Sequence, residues 1–151
     1  MEKKMKMGEV VRAYKVLGNA KYQKLKDEDK VKLWKISRQL RPLTEQFEED
    51  RQDASKNLVP QEVKETLPKA LQYEKLKKEG AEKLPMTEAE YLAFAEEFEK
   101  CNNLIRTALA EVFDKEVTLT FEPLSEEVFG QLMASNDWTL GEVETLEWIV
   151  G

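Results

Sequence analysis

Histidine is absent from this chain of 151 residues, and cysteine occurs once. The first absence removes the commonest general base and metal ligand at neutral pH. With it go Ser-His and Cys-His nucleophile pairs and the Glu-x-x-His repeats of carboxylate-bridged di-iron bundles. The second leaves nothing to build an internal disulfide or a tetrahedral zinc site. Cys101 falls in a predicted helix interior, where it reads as a small apolar packing group in a reducing compartment. Neither GxxxxGK[ST] nor GxGxxG occurs, so the usual phosphate-cradling loops are missing. With only 6 glycines and 5 prolines the composition argues against sandwiches, barrels and disordered tails. No run approaches the roughly 20 apolar residues of a membrane span. The start, Met1-Glu2-Lys3-Lys4-Met5-Lys6-Met7, is followed by no signal-peptide block, so export and membrane insertion are not expected and the chain is read as cytoplasmic.

What the chain does have is charge and helical periodicity. Charged residues make up 36% and apolar residues 41%, the balance of long helices that show much of their surface to water. Val10, Val11, Tyr14 and Leu17 give a first amphipathic helix from about residue 8 to 22. A second helix begins near Asp27 or Asp29 and carries Leu33, Ile36, Leu40, Leu43, Phe47 and Ala54 in steps of three and four, broken only by Asp50. Pro42 predicts a bend there but no end, because the apolar register continues on both sides. Residues 58 to 85 hold Pro60, Pro68, Gly80 and Pro85 around a helical piece from Lys69 to Glu79, and read as an elaborated tip. Thr87 with Glu90 forms a capping box for a helix whose seam is Tyr91, Phe94, Phe98, Cys101, Ile105, Ala108 and Val112.

After Lys115 the period changes to two: Val117, Leu119 and Phe121 alternate with Thr118 and Thr120, a strand from Glu116 to Glu122. Its partner is either the Met5-Lys6-Met7 segment or the same strand of a second copy, since lone strand backbone must be satisfied. Two short helices follow, Ser125 to Ala134 and Thr139 onward, the second opened by a Thr139–Glu142 capping box with Leu140, Val143, Leu146 and Ile149 as its apolar face. The expected fold is a single mainly α domain. Its frame is a long antiparallel helical hairpin, with shorter terminal helices and one short strand or small two-stranded ribbon.

Residues 1 to 42 carry 13 positive and 5 negative charges, whereas residues 116 to 151 hold eight carboxylates and no Lys or Arg. The basic stretch contains Lys21, Lys24, Lys26, Lys30, Lys32, Lys35, Arg38 and Arg41. Of these, Lys21, Lys24, Lys30, Lys35, Arg38 and Arg41 are the candidate interaction residues. One reading is a helical face that meets phosphates. The preferred reading pairs the basic stretch with the acidic C-terminal segment of its own fold, because the whole chain is acidic and no nucleic-acid motif accompanies the lysines. The linker from Gln23 to Glu28 is too charged for the tight turn of a helix-turn-helix. Carboxylate runs such as Glu48-Glu49-Asp50 and Glu96-Glu97 read as solvated helix faces, not cation ligands. Trp34 beside Leu33 and Trp148 beside Ile149 have apolar surface close at hand, and all three tryptophans, Trp138 included, read as core fillers.

A Met-Lys-Met start leads into Glu9-Val10-Val11-Arg12-Ala13-Tyr14, a long helix ends in Phe47-Glu48-Glu49-Asp50-Arg51-Gln52, and after a loop and a second helix come a short strand, Glu116-Val117-Thr118-Leu119, and a terminal helix in Trp138-Thr139-Leu140-Gly141-Glu142-Val143-Glu144-Thr145-Leu146. In that order the chain resembles a family of small uncharacterised proteins of tailed bacteriophages and prophages. The stretch from Leu58 to Pro85 departs from it by being longer and more helical. The resemblance implies a phage or prophage origin, a cytoplasmic or virion-associated place, and a non-enzymatic role in assembly or in contact with another component; it supplies no site residues. The expectation is therefore a protein-interaction or assembly protein with a protein partner or self-association. It has no catalytic, cofactor or metal residues. A small nucleic-acid-binding regulator using residues 21–41 is the alternative, not favoured.

Overall fold

In the computed structural model, which describes residues 1–151, the order is β1 (Glu2–Lys6), α1 (Met7–Gly18), α2 (Asp27–Leu58), α3 (Gln61–Lys78), α4 (Glu88–Asp114), β2 (Glu116–Thr120), α5 (Glu126–Ser135), α6 (Leu140–Leu146) and a 3₁₀ turn Glu147–Ile149. The fold is mainly α, with the two long helices and the small ribbon that the periodicity demands. It divides into two compact units, Met1–Glu49 with Glu111–Gly151, and Asp50–Ala110.

In the first unit the strand finds its partner within the chain. β1 and β2 pair antiparallel with Met5 opposite Val117 and Lys3 opposite Leu119. Leu119 and Phe121 are buried as the alternation requires. The ladder continues one step further, where the Phe121 backbone N–H donates to the Met1 carbonyl at 3.0 Å. One apolar cluster joins Met5 and Met7, Val10 and Leu17 of α1, Leu33, Ile36, Leu40 and Phe47 of α2, and Leu132, Leu146 and Ile149 of the C-terminal elements. The α2 seam from Leu33 to Phe47 is thus spent largely on the ribbon and the terminal helices, with Val112 at the edge of the same cluster. Phe47 meets Phe113, with ring centroids 5.7 Å apart. The Phe113 ring also lies under the Arg12 guanidinium and against Gly8, where a Cβ would collide with it.

Helix ends follow their caps. α1 stops at Gly18, short of Tyr22, where Asn19 closes the last turn by donating its side-chain amide to the Lys15 carbonyl. α2 runs unbroken through Pro42. α5 is capped by Ser125, whose hydroxyl accepts from the Val128 N–H, and α6 by the full Thr139–Glu142 box. On α6, Leu146 and Ile149 are buried but Leu140 is 74% exposed, against expectation. Steps of three move each residue 60° around a helix, so Leu140 stands about 120° from Leu146, off the buried arc.

In the second unit, α3 begins directly after Pro60 and continues through Pro68, eight residues earlier than the predicted helical piece. Pro68 is exposed, so its ring displaces no core packing and its cost is the one i+4 donor that the Lys64 carbonyl lacks. The helix closes in a Schellman motif, with the Ala81 N–H donating to the Leu76 carbonyl and the Gly80 N–H to Lys77. Gly80 adopts φ 74°, which only glycine takes without strain. α4 opens with the Thr87–Glu90 box. Tyr73 and Tyr91 stack at 4.5 Å, and the Tyr91 phenol donates to Glu74. Along the α4 heptad only Cys101 is fully buried.

Candidate functional site

Trp34 overturns its expected role as core filler: it is 53% exposed. Adjacent helical positions lie 100° apart, so the neighbour of the buried seam residue Leu33 is turned off the core. The positions that share its direction are i+4 and i+7 and, at i−3, Val31. The outward face of α2 therefore carries Val31, Trp34, Lys35, Arg38, Arg41 and Pro42 together, all exposed. The Arg38 guanidinium lies over the Trp34 ring at 5.2 Å, a cation–π contact on an indole that remains half exposed.

Of the six candidate residues, this side of the helix gathers Lys35, Arg38 and Arg41 with Lys30, which at i−4 stands about 40° from Trp34, half-buried and paired with Asp27 at 3.7 Å. Lys32 likewise pairs with Glu28 at 3.9 Å. Lys21 and Lys24 lie in the connection before α2. The backbone of Lys21 is fixed there by Asn136, whose side chain accepts from its N–H at 2.8 Å and donates to its carbonyl at 3.0 Å.

The preferred sequence reading, that the basic stretch pairs with the acidic C-terminal segment of its own chain, holds only at Lys21, which shares a hollow with Asp137 and Glu142, and not along α2. The link between them is this neutral Asn136 clamp, together with Gln39 bonding both backbone groups of Thr120. No ion pair joins a Lys or Arg of residues 21–41 to a carboxylate of residues 116–151. Two strands' worth of geometry explain this. α2 turns its apolar seam, not its charged face, toward β2, α5 and α6, because burying Leu33, Ile36 and Leu40 is worth far more than exposed ion pairs.

Two hollows flank the same unit. One, about 450 Å³, is lined by Lys3, Glu9, Arg12, Glu144, Glu147 and Trp148. The other, about 440 Å³, is lined by Lys15, Asn19, Lys21, Asp137, Trp138 and Glu142. Both mix charges of opposite sign, and neither brings a nucleophile against a base. No three His, Cys, Asp or Glu side chains converge to hold a metal ion. Glu96 and Glu97 are taken up by Lys100 at 3.6 and 3.8 Å. Trp148 and Trp138 do pack as expected, against Phe121 and Phe129. No helix is long and apolar enough to cross a membrane.

The exposed Trp34 face is what reading along the sequence missed, though its signal was there. Trp34, Arg38 and Arg41 follow the i, i+4, i+7 spacing of one helix side, opposite the seam. In comparison with known proteins, the chain matches no family model, no curated protein and no solved structure.

Proposed function

We propose that the chain is a non-catalytic assembly or protein-interaction protein that docks a protein partner through the outward face of α2. One observation carries this reading: a tryptophan 53% exposed, braced by Arg38 and flanked by Lys35, Arg41, Val31 and Pro42. An indole in water contributes little to folding, whereas Trp and Arg are the residues that anchor protein interfaces. The resemblance to phage and prophage proteins is consistent with work in particle assembly, in the cytoplasm or on the virion.

The test compares the wild type with Trp34→Ala and Arg38→Ser for retention of proteins from the native lysate. The expected result is loss of retained partners in both variants with the helical circular dichroism spectrum unchanged. Identical retention overturns the reading.

Nucleic acid is the second reading, favoured by three cations beside an exposed ring on which a base could stack. It predicts oligonucleotide binding at low ionic strength that weakens steeply with salt. Absence of binding at low salt removes it.

A further inference from the structure

The basic band on α2 is short. It runs from Val31 to Pro42, about 16 Å at 1.5 Å per residue. It is bounded by Asp27, Glu28 and Asp29 before it and Glu45, Glu48 and Glu49 after it. A long polyanion would meet repulsion at both ends, so the band is matched to an acidic surface about one short helix in length. The chain itself carries such a surface. Residues 116 to 151 hold eight carboxylates and no Lys or Arg. Among them, Glu144 and Glu147 share a hollow with Lys3 and Arg12, and Asp137 and Glu142 share one with Lys15 and Lys21. Glu122, Glu126 and Glu127 are exposed and have no ion-pair partner.

Glu126 and Glu127 stand on the solvent face of α5 with Gly130, Gln131, Met133 and Ala134. Met133 is 39% exposed, and a Cβ placed on Gly130 would meet nothing within 4 Å. The face is therefore an open shelf of small residues with a thioether at one edge and carboxylates at one end. At ten residues, α5 spans about 15 Å, the length of the α2 band.

On these observations, and resting on the reading of the α2 face as a protein-docking surface, we propose that this face docks on α5 of a second copy of the chain. Laid antiparallel, the two helices match in one register. Val31 meets Met133, the Trp34 ring lies over the Gly130 shelf, Arg38 faces Glu126 and Arg41 faces Glu122 and Glu127. The two surfaces are different, so the contact is heterologous: each copy offers one face of each kind, and copies join head to tail into a chain or ring. The absence of ion pairs between these segments inside one chain leaves both faces free for that use.

The experiment measures the mass of the purified full chain by light scattering and sedimentation across concentration and ionic strength. Mass should rise with concentration at low salt and fall back to the monomer at high salt. Trp34→Ala should weaken association by roughly thirtyfold, the loss typical of a buried interface anchor. Arg38→Glu with Arg41→Glu, and separately Glu126→Lys with Glu127→Lys, should each give monomers. An equimolar mixture of the two should regain association beyond the dimer, because the second variant's α2 docks on the first's unaltered α5 and the two reversed faces attract each other in turn. All four changes in one chain should restore self-association, an outcome that misfolding cannot imitate. A wild type that stays monomeric at low salt and high concentration overturns the proposal, as does association that survives in either charge-reversed variant. If that monomer still retains a different protein through Trp34, only the self-docking falls; if Trp34→Ala changes nothing at all, the reading of the face falls with it. Oligonucleotide binding by the wild type that Arg38→Glu with Arg41→Glu abolishes assigns the face to nucleic acid and also overturns self-docking.

Discussion

The two units bury apolar surface in different ways. The first converges strands, α1, the start of α2 and the C-terminal helices on one cluster in which Val10, Ala13, Leu40, Leu132, Leu146 and Ile149 are at 0% exposure. The second has four buried apolar residues, Val63, Ala70, Tyr73 and Cys101, while Leu71, Leu92 and Leu104 are each more than half exposed. Its heptad residues Tyr91, Phe94, Phe98 and Ile105 are only half-buried. A heptad therefore says that a helix has a sticky side, not that its own chain covers it. Coverage depends on how many elements reach the seam: several meet α2 at Leu33 to Phe47, whereas the α4 seam borders a hollow that it shares with Leu67, Ala70 and Leu71 of α3.

The largest expected effect separates the units directly. Leu132→Ala, at a site with no solvent access, should lower unfolding free energy by about 2–5 kcal/mol in urea titration. Leu71→Ala, 56% exposed, should change it by less than about 0.5 kcal/mol. Hydrogen exchange should follow the same division, with α3 amides opening more easily than those of α5 and the β ribbon. Equal protection in α3 and α5 would break the comparison.

Glycine gives the next effect, and by a different physics in each unit. Gly8→Ala drives a methyl into the Phe113 ring and should cost about 1–3 kcal/mol through forced repacking. Gly80→Ala meets no atom, yet forces a Cβ into the φ 74° conformation and should cost about 1–2 kcal/mol. Urea melts of the two variants check both figures. Restoration of Gly8→Ala by trimming Phe113, with no such rescue for Gly80→Ala, would distinguish collision from backbone strain.

Local rules made much of this legible. Both capping boxes, the strand at Glu116 with its alternation, and the continuation of α2 through Pro42 all follow from residues within a few positions of one another, whereas the choice of the Met5 segment over a second copy as the strand's partner does not. What sequence reading lost was direction around a helix. A buried neighbour such as Leu33 says nothing of the direction of Trp34, which its angle sets, and three-residue steps carry Leu140 off the face of Leu146. The helix runs through Pro68 because an exposed proline removes one backbone bond and no core packing. The charge polarity was visible, but the inference that opposite charges within one chain must meet gave too little weight to apolar burial, which decides how α2 is oriented.

The two capping boxes put the same chemistry in both units. Thr139→Ala and Thr87→Ala should each cost about 1 kcal/mol, since each removes one hydroxyl acceptor from an N3 amide at 3.2 and 3.1 Å. Thermal denaturation of the pair tests whether cap energies are local. A loss several times larger in one variant would show that the cap is coupled to the packing of its unit.

The smallest effects are pH dependences, both in the second unit. The Tyr91 phenol donates to the Glu74 carboxylate, and ionising it would set two anions together, so its pKa is raised above 10.0. A raised value means that this contribution is complete below the ordinary tyrosine range and is lost as pH rises through the folded value. Glu90 is the opposite case. Its carboxylate accepts from the Thr87 backbone N–H and then from the Thr87 hydroxyl, which hold its pKa below 4.5. Its contribution is complete above the ordinary glutamate value and is lost as pH falls through the lower folded one. A carbon-detected NMR titration of the Glu90 carboxyl should show a midpoint below 4.5. In Thr87→Ala the hydroxyl goes but the backbone N–H stays, so the midpoint should move only part of the way back. A full return would mean that the hydroxyl, and not the amide, holds the charge. No movement would mean that the amide alone holds the charge, whereas a wild-type midpoint not below 4.5 would mean that the box at α4 is open in solution, leaving the thinly buried unit with one fewer local restraint than the box on α6 gives the first.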